Sequence, residues 1–352
     1  MKLLADIRKL ALSSLGMLAV FAFALTSCDT EIYDYEGDCT PKFKVGFRYD
    51  MNMKFVDAFS TEVKSVSLYV FDSNGKFVKS YESTVDEMAA NDYMMDVDLA
   101  PGKYSLLAWC GLNDGLHSYD VPTLTPGTST KQELKNTMQR KAADGKAVVG
   151  EIDQLYHGMV DNAVFPDEEG VHTVIVPLTK DTNRLKVVLQ DLTNAANVDD
   201  FKVFVTAENG KMNYNNSLMA DELLTYEPYF TQVGASEIIV NTRATAQNDG
   251  GTYNLLMSEI NFGRLVKDWR TPYKLHITDA NGKNIITVSL IELFLLVRGK
   301  EYQSMDDQEY LDREDDFNMT FFLYGSGEES GTYISAEIII NGWKVVLQDV
   351  DF

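Results

Sequence analysis

Short runs of alternating apolar and polar residues recur along this chain, and they constrain its fold more than any other sequence feature. In the first run Phe43, Val45 and Phe47 alternate with lysine or glycine. This spacing places every second side chain on one face, as in a half-buried β-strand. An Asp-x-Asn-Gly-Lys sequence separates two such runs at 72–76 and again at 279–283, and it is typical of a hairpin turn. The pattern predicts an all-β chain.

The close spacing of the predicted strands indicates two tandem β-sandwich domains with short helical insertions. A chain of 352 residues is long enough for two domains. We place them at 41–178 and 179–352, because clear alternation restarts at Arg184–Leu189. The apolar segment 285–297 is too short to span a membrane. We therefore expect a strand there that runs into a short buried helix.

The first 28 residues have the pattern of a lipoprotein signal. A start with three basic residues precedes an apolar stretch over 10–25, and Leu-Thr-Ser-Cys follows, ending at Cys28. We predict that residues 1–27 are removed and that Cys28 is acylated as the new N-terminus. The alternatives are an ordinary signal peptide and a membrane-spanning anchor, but the stretch is shorter than the roughly 20 residues of a span.

Residues 28–40 are predicted to form an extended acidic tether, since their carboxylates repel one another and no apolar periodicity is present. The whole chain has a formal net charge of −22. This charge excludes nucleic acid as a partner, and it also excludes an electrostatic grip on anionic lipid head groups. Attachment to a membrane therefore depends on the lipid at Cys28.

No motif of a reaction centre or a metal site occurs in the sequence. The isolated histidines, which are expected to be structural, are His117, His157, His172 and His276. We therefore predict no catalytic residue, no cofactor and no metal site. Export permits a disulfide between Cys39 and Cys110 or leaves both thiols free, and in either state the two cysteines are expected to be structural.

The densest acidic segment is 305–316. Its carboxylates are of the type that serves glycoside hydrolysis or Ca²⁺ binding. The favoured interpretation is a solvated helix or loop face, in which Tyr310 and Leu311 point inward and Arg313 offsets part of the charge.

Several segments together resemble the FimB-type fimbrial anchor lipoproteins of Bacteroides-type bacteria. The most specific are QEYLDRE at 308–314 and INGW at 340–343, supported by LAPGKYSLLAWCGL at 99–112 and LTKDTNRLKVVLQ at 178–190. The resemblance covers almost the whole mature chain. It implies two transthyretin-like β-sandwich domains, tethered by lipid to the outer membrane and exposed at the cell surface.

The resemblance also implies a non-enzymatic role as anchor and assembly base for a polymer of pilin subunits, which join by strand exchange. In such an exchange the main-chain hydrogen bonds give affinity and alternating side chains give register. Val345, Leu347, Val350 and Phe352 alternate approximately to the last residue, so the C-terminal segment is a candidate partner strand. Alternatively, the segment closes its own sandwich.

Two other functions compete with anchoring. A carbohydrate-binding surface lipoprotein of a glycan-uptake system would need an exposed aromatic cluster, and Trp109, Trp269 and Trp343 are too scattered in sequence to indicate one. A lipid-anchored hydrolase would use the carboxylates of 306–316 in a cleft where carboxyl pKa values are raised.

Overall fold

A computed structural model describes residues 40–191, 198–237, 252–325 and 333–345. Within them the strands are β1 (Lys42–Met51), β2 (Ser65–Asp72), β3 (Phe77–Thr84), β4 (Met94–Val97), β5 (Gly102–Cys110), β6 (Tyr119–Asp120), β7 (Lys135–Met138), β8 (Lys141–Ala143), β9 (Lys146–Val149), β10 (Tyr156–Phe165), β11 (Val171–Lys180), β12 (Thr182–Asp191), β13 (Lys202–Ala207), β14 (Lys211–Asn213), β15 (Leu224–Tyr226), β16 (Phe230–Glu237), β17 (Thr252–Gly263), β18 (Lys274–Thr278), β19 (Asn284–Ser289), β20 (Asp316–Gly325), β21 (Tyr333–Ile340) and β22 (Trp343–Val345).

The helices of the described residues are all short. The α-helices are α1 (Phe59–Glu62), α2 (Val85–Met88), α3 (Leu290–Leu296) and α4 (Asp307–Arg313). The 3-10 turns are Ala89–Asn91, Lys131–Glu133, Val198–Asp200 and Lys300–Tyr302. Strands therefore dominate the described residues, and the predicted all-β class is confirmed.

The strands form four sheets. The first sheet has the order β3-β2-β5-β10-β11-β1-β4, and the second has the order β16-β17-β12-β20-β21-β22. The third sheet has the order β19-β18-β13-β15-β9-β8, and a small sheet has the order β14-β7-β6. All these strands belong to a single compact unit.

The first sheet curls so that its two edges meet. β3 and β4 lie at opposite edges, yet the Tyr81 hydroxyl of β3 donates to the Asp98 carbonyl, just after β4, at 2.8 Å. Side chains from both ends of the sheet, such as Val45 of β1 and Leu68 of β2, are buried in the same apolar core. The closed shape gives seven strands one shared interior.

β2 and β5 are buried on both faces. Leu68 and Leu106 point into the core of the first sheet, whereas Tyr69 and Trp109 point into the larger core that the second and third sheets share. A strand covered on both sides needs an almost continuous apolar run rather than strict alternation. This requirement explains the sequence of β2, in which seven consecutive residues are buried.

Two strands that precede residue 150, β7 and β9, pair with strands from the second half of the chain. Ala147 of β9 lies beside Leu224 of β15 in a parallel pair, and Asn136 of β7 lies beside Met212 of β14 in an antiparallel pair. These strand pairs therefore join residues of the two predicted domains, 41–178 and 179–352. The boundary between residues 178 and 179 stays a prediction.

The apolar segment 285–297 forms most of β19 and continues directly into α3, as predicted. Leu290 and Phe294 of α3 are buried, and the Phe294 ring stacks on Phe317 with centroids 3.6 Å apart. Among the described residues, no helix combines the length and the apolar character that a membrane span requires.

A buried charge cluster lies where the first sheet leads into the second. Asp181, between β11 and β12, is fully buried, and its carboxylate is 3.6 Å from the Arg264 guanidinium. Arg264 also donates to both carboxylate oxygens of Asp312, at 2.9 and 2.7 Å. Asn216 donates to Asp181 at 2.8 Å. One largely buried guanidinium therefore serves two carboxylates, of which Asp181 is fully buried and Asp312 is partly exposed.

The pKa of the Asp181 carboxyl is raised to about 7 in this cluster. Burial is the main cause, and the charge of Asp312 acts in the same direction, whereas Arg264 and Asn216 lower the pKa. A carboxyl whose pKa rises on folding stabilises the folded state below its unfolded pKa of about 3.9. That contribution disappears as the pH rises through about 7.

Asp181→Asn should therefore change the pH dependence of stability. The amide keeps an acceptor for Asn216 but does not ionise, so the variant should match the parent near pH 4 and exceed its stability by roughly 2–4 kcal/mol near pH 8. Denaturant unfolding across this range measures the difference. Asp279→Asn, in an exposed turn, is the control, and parallel stability curves for parent and Asp181→Asn would contradict the account.

Candidate functional site

The edges of the second sheet are the described surfaces best suited to bind another polypeptide. β16 forms one edge and β22 forms the other, so each has a backbone neighbour on one side within the described chain. Unpaired main-chain N–H and C=O groups at a sheet edge form a template for an added strand. These edges therefore define the candidate site.

β16 lacks the features that commonly protect edge strands. It pairs with β17 over eight consecutive positions, from Phe230 beside Glu259 to Glu237 beside Thr252, without a bulge. It contains no proline, and Glu237 is its single charged residue. Phe230 and Val233 each expose 44% of their surface. An eight-residue edge with one charge, no bulge and exposed apolar side chains favours strand addition.

β16 was not predicted from the sequence at its full length. The sequence predicts a strand over 236–240, which overlaps only the last two residues of β16, and residues 238–240 lie outside the described chain. Gly234 interrupts the apolar alternation, so the local pattern is weak. The available signal was the uncharged run 230–236 in a chain where 24% of residues are charged.

The opposite edge begins with a tight hairpin. Asn341 and Gly342 connect β21 to β22 with positive φ angles of 45° and 84°, as a two-residue hairpin turn requires. The Asn341 carboxamide oxygen accepts from the Asn318 amide at 2.8 Å, which fastens the turn to β20. Val345, the first residue of the candidate partner strand, lies beside Ile338.

The other sequence-predicted site residues cannot be placed in this geometry. Leu347, Val350 and Phe352 lie outside the described residues, as does the predicted lipidation site Cys28. Their roles stay predictions. Cys39 also lies outside, whereas Cys110 is a free and fully buried thiol whose pKa is raised, mainly by burial.

The acidic segment 305–316 forms helix α4 and its flanks, and much of its charge is held in ion pairs. The Asp306 carboxylate accepts from the backbone amides at the start of the helix. Asp307 accepts from Arg298 at 2.6 Å, and Asp312 is held by Arg264. Tyr310 and Leu311 are buried as predicted, but the face is ion-paired rather than simply solvated.

A polar groove of about 790 Å³ lies beside this segment, and Asp315 and Asp316 line it. Asp315 pairs with Lys180, and Asp316 accepts two hydrogen bonds from Arg184 at 3.1 and 2.6 Å. Within this segment, burial raises the pKa of the Glu314 carboxyl to about 7, but Glu314 does not line the groove. The two carboxylates of the segment that line the groove are therefore both engaged with basic side chains.

The histidines of the cores have structural contacts. His157 is buried against Trp109, its Nε2 lies 2.8 Å from the Tyr214 carbonyl, and burial lowers its pKa to about 4. Within the described residues, no group of three or more potential metal-ligating side chains occurs. Trp109 is fully buried, and the Trp269 indole donates to the Glu208 carbonyl at 3.0 Å.

These features define an all-β protein whose described surface offers sheet edges for strand pairing. Comparison with known proteins gives its family. Residues 35–349 match the model for the fimbrillin-A associated anchor proteins Mfa1 and Mfa2, so the chain belongs to that family. The resemblance to fimbrial anchors that the sequence motifs indicated is confirmed.

Individual relatives agree with this assignment. The chain is 22% identical to the minor fimbrium anchoring subunit Mfa2 of Porphyromonas gingivalis, over 98% of both chains. A solved structure from Bacteroides thetaiotaomicron, named as a candidate polysaccharide-binding protein, is 30% identical with a TM-score of 0.70, covering 88% of this chain and 98% of its own. The solved fimbrial anchor Mfa2 of P. gingivalis is 17% identical with a TM-score of 0.62, covering 87% and 99% respectively.

Two acidic residues of α4 provide a direct test of the structural role of the segment. Asp312→Ala leaves the largely buried Arg264 without its bidentate partner, so we expect unfolding to become easier by roughly 2–3 kcal/mol. Asp307→Ala breaks more exposed pairs and should cost under about 1 kcal/mol. Chemical denaturation measures both, and equal losses would refute the assigned difference.

Proposed function

We propose that this chain is an outer-membrane lipoprotein that anchors cell-surface fimbriae and serves as their assembly base. Membership of the fimbrial anchor family is the observation that carries the proposal. The match to an anchoring subunit covers 98% of both chains, so the similarity extends over nearly the whole chain. The proposed role is non-catalytic.

The lipid on Cys28 holds the protein to the membrane in this proposal. The chain has 53 acidic and 31 basic residues, so its net charge repels an anionic membrane surface. Stable anchoring of a soluble domain then requires acyl chains, and more than one chain is needed for lasting attachment. A lipidated N-terminal cysteine supplies them.

Fimbrial subunits bind through strand pairing at the second sheet in this proposal. The segment from Val345 to Phe352 is the candidate exchanged strand, and the exposed edge of β16 is a second position for an added strand. Main-chain hydrogen bonds would supply affinity at either edge, and exposed apolar side chains such as Val233 would fix the register. The transthyretin-like, two-sandwich domain arrangement is part of the same proposal.

The second candidate function is a carbohydrate-binding surface lipoprotein of a glycan-uptake system. The name of the B. thetaiotaomicron relative favours it. The tryptophans do not, because Trp109 is fully buried and the Trp269 indole N–H is engaged with the backbone. Anchoring is therefore the better supported function.

Cys28→Ala tests the anchoring role in cells that make fimbriae. Without the acyl chains, the acidic protein has no hold on the membrane, so most fimbriae should appear in the medium. Immunoblots of cell and medium fractions measure the distribution. Cys110→Ala is the matched control, since it removes a buried thiol and should leave fimbriae on the cells. Fimbriae that stay cell-bound in Cys28→Ala would rule out lipid anchoring.

Deletion of residues 349–352 tests the candidate partner strand. If the C-terminal segment is exchanged, the loss of Val350 and Phe352 removes apolar side chains that fix its register, and subunit binding should weaken by roughly tenfold or more. Pull-down of fimbrial subunits from solution measures the binding.

Val233→Lys places a charge on the opposite edge of the second sheet and should hinder strand addition there. Val171→Lys is the control, because it places the same charge on an exposed strand residue of the first sheet. If the deletion leaves subunit binding unchanged and only Val233→Lys weakens it, the contact lies at β16 and not at the C-terminal segment. If all three variants bind fimbrial subunits normally, the proposal of strand pairing at the second sheet is wrong.

A further inference from the structure

A groove of about 640 Å³ lies on the outer face of the third sheet. Its volume falls within the roughly 300–1,000 Å³ that small-ligand sites occupy. Strands β9, β13, β15 and β18 supply its floor. Its lining includes Lys146, Phe204, Thr206, Leu223, Lys274 and His276.

The strand register brings these side chains to one face. Thr206 lies beside Lys274 in one row, and Phe204 lies beside His276 in the next. The intervening Val205 and Leu275 are fully buried on the opposite face. Because a one-residue slip would expose those apolar side chains, burial of the inner face fixes the composition of the groove.

The groove floor is an ordered aromatic and polar strip. The Phe204 and His276 rings are stacked with centroids 4.9 Å apart, and the Thr206 hydroxyl lies 2.9 Å from Nε2 of His276. The Lys146 ammonium is 5.6 Å from the centroid of the Phe204 ring. Burial lowers the pKa of His276, and the charges of Lys274 and Lys146 act in the same direction. Both lysine charges therefore reach the groove.

These lysines differ from most nearby cations. Arg140 and Arg270, which flank the groove residues in contact or in sequence, each pair with a carboxylate, whereas Lys146 and Lys274 have no carboxylate partner in the part of the chain that the structure describes. The single acid at the rim, Glu222, lies 3.3 Å from Arg140. In a chain with a net charge of −22, two uncompensated ammonium groups in one groove provide local complementarity to an anion.

The backbone of this face is not available to a ligand. β9, β15, β13 and β18 are each paired with both neighbours, so their main-chain groups are used within the sheet. An acidic peptide would find no edge for strand pairing here. The groove instead offers ammonium groups, the hydroxyls of Thr206 and Thr225, and the half-exposed apolar side chain of Leu223.

We infer that this groove binds an acidic saccharide, namely a short oligosaccharide segment with carboxylate or sulfate groups. The ammonium groups of Lys146 and Lys274 bind the anionic substituents, the threonine side chains bind ring hydroxyls, and Leu223 packs against an apolar sugar face. The site is separate from the edges of the second sheet, so fimbrial anchoring and saccharide binding can fail independently.

Binding of the purified full-length chain to defined polysaccharides tests this inference. The probes are polygalacturonate for carboxylates, chondroitin sulfate for sulfate with carboxylate, dextran as a neutral glycan, and poly-glutamate as an acidic peptide. Isothermal titration calorimetry at low and at high salt should show binding to at least one acidic glycan that weakens with salt. Dextran and poly-glutamate should bind at least about tenfold more weakly.

The paired variant Lys146→Ala with Lys274→Ala should weaken acidic-glycan binding by roughly tenfold or more, since two charge-assisted contacts are lost. Lys283→Ala is the matched control, because it removes an exposed lysine in the turn after β18 of the same sheet. Thermal unfolding of each variant checks that the fold is intact, and Thr206→Val is a second probe that leaves the charge unchanged.

No binding to either acidic glycan would overturn the inference. Equal binding of poly-glutamate would show a general anion patch instead of a saccharide site, and equal losses in the control would place the site elsewhere. None of these results depends on whether fimbriae are anchored, because the assay uses neither fimbriae nor membranes.

Discussion

The junction between the first and second sheets depends on the contacts of the Arg264 guanidinium. It donates to the Asp312 carboxylate of α4 and to the Asn216 carbonyl, the latter at 2.7 Å. It also lies 3.6 Å from the buried Asp181 carboxylate. The next residue after Asp312, Arg313, donates to the Asp50 carbonyl at the end of β1 at 3.0 Å. The acidic helix therefore links the first sheet to the second, and removal of Asp312 would leave the Arg264 charge without its bidentate partner.

This junction gives the proposed anchor a continuous mechanical connection. β1, which follows the acidic N-terminal segment in the chain, pairs in parallel with β11, from Lys42 beside Val171 onward. β11 leads through Asp181 into β12, a central strand of the second sheet. A pull between a lipid at the N-terminus and a subunit at the second sheet would thus act on paired strands and not on loops.

Much of the fold could be predicted from the sequence, because many strands have local patterns. The sequence predicts a strand over Tyr333–Ile340, and β21 has these bounds. The passage from strand to helix at 285–297 follows from an apolar run that is too short for a membrane span. The pairing of β7 and β9 with strands of the second half could not be predicted, since it depends on contacts between distant residues. The Arg264 cluster and the β16 edge were missed for the same reason: neither produces a periodic local signal.

The most direct test of the account places a photo-crosslinking amino acid at single positions of the full-length protein in fimbriated cells. Val233 and Val345 represent the two edges of the second sheet, and Val171 represents the exposed surface of the first sheet. Mass spectrometry then identifies the adducts. The account predicts adducts with a fimbrial subunit from at least one edge position and none from Val171. No subunit adduct from either edge, or equal yield from Val171, would contradict it.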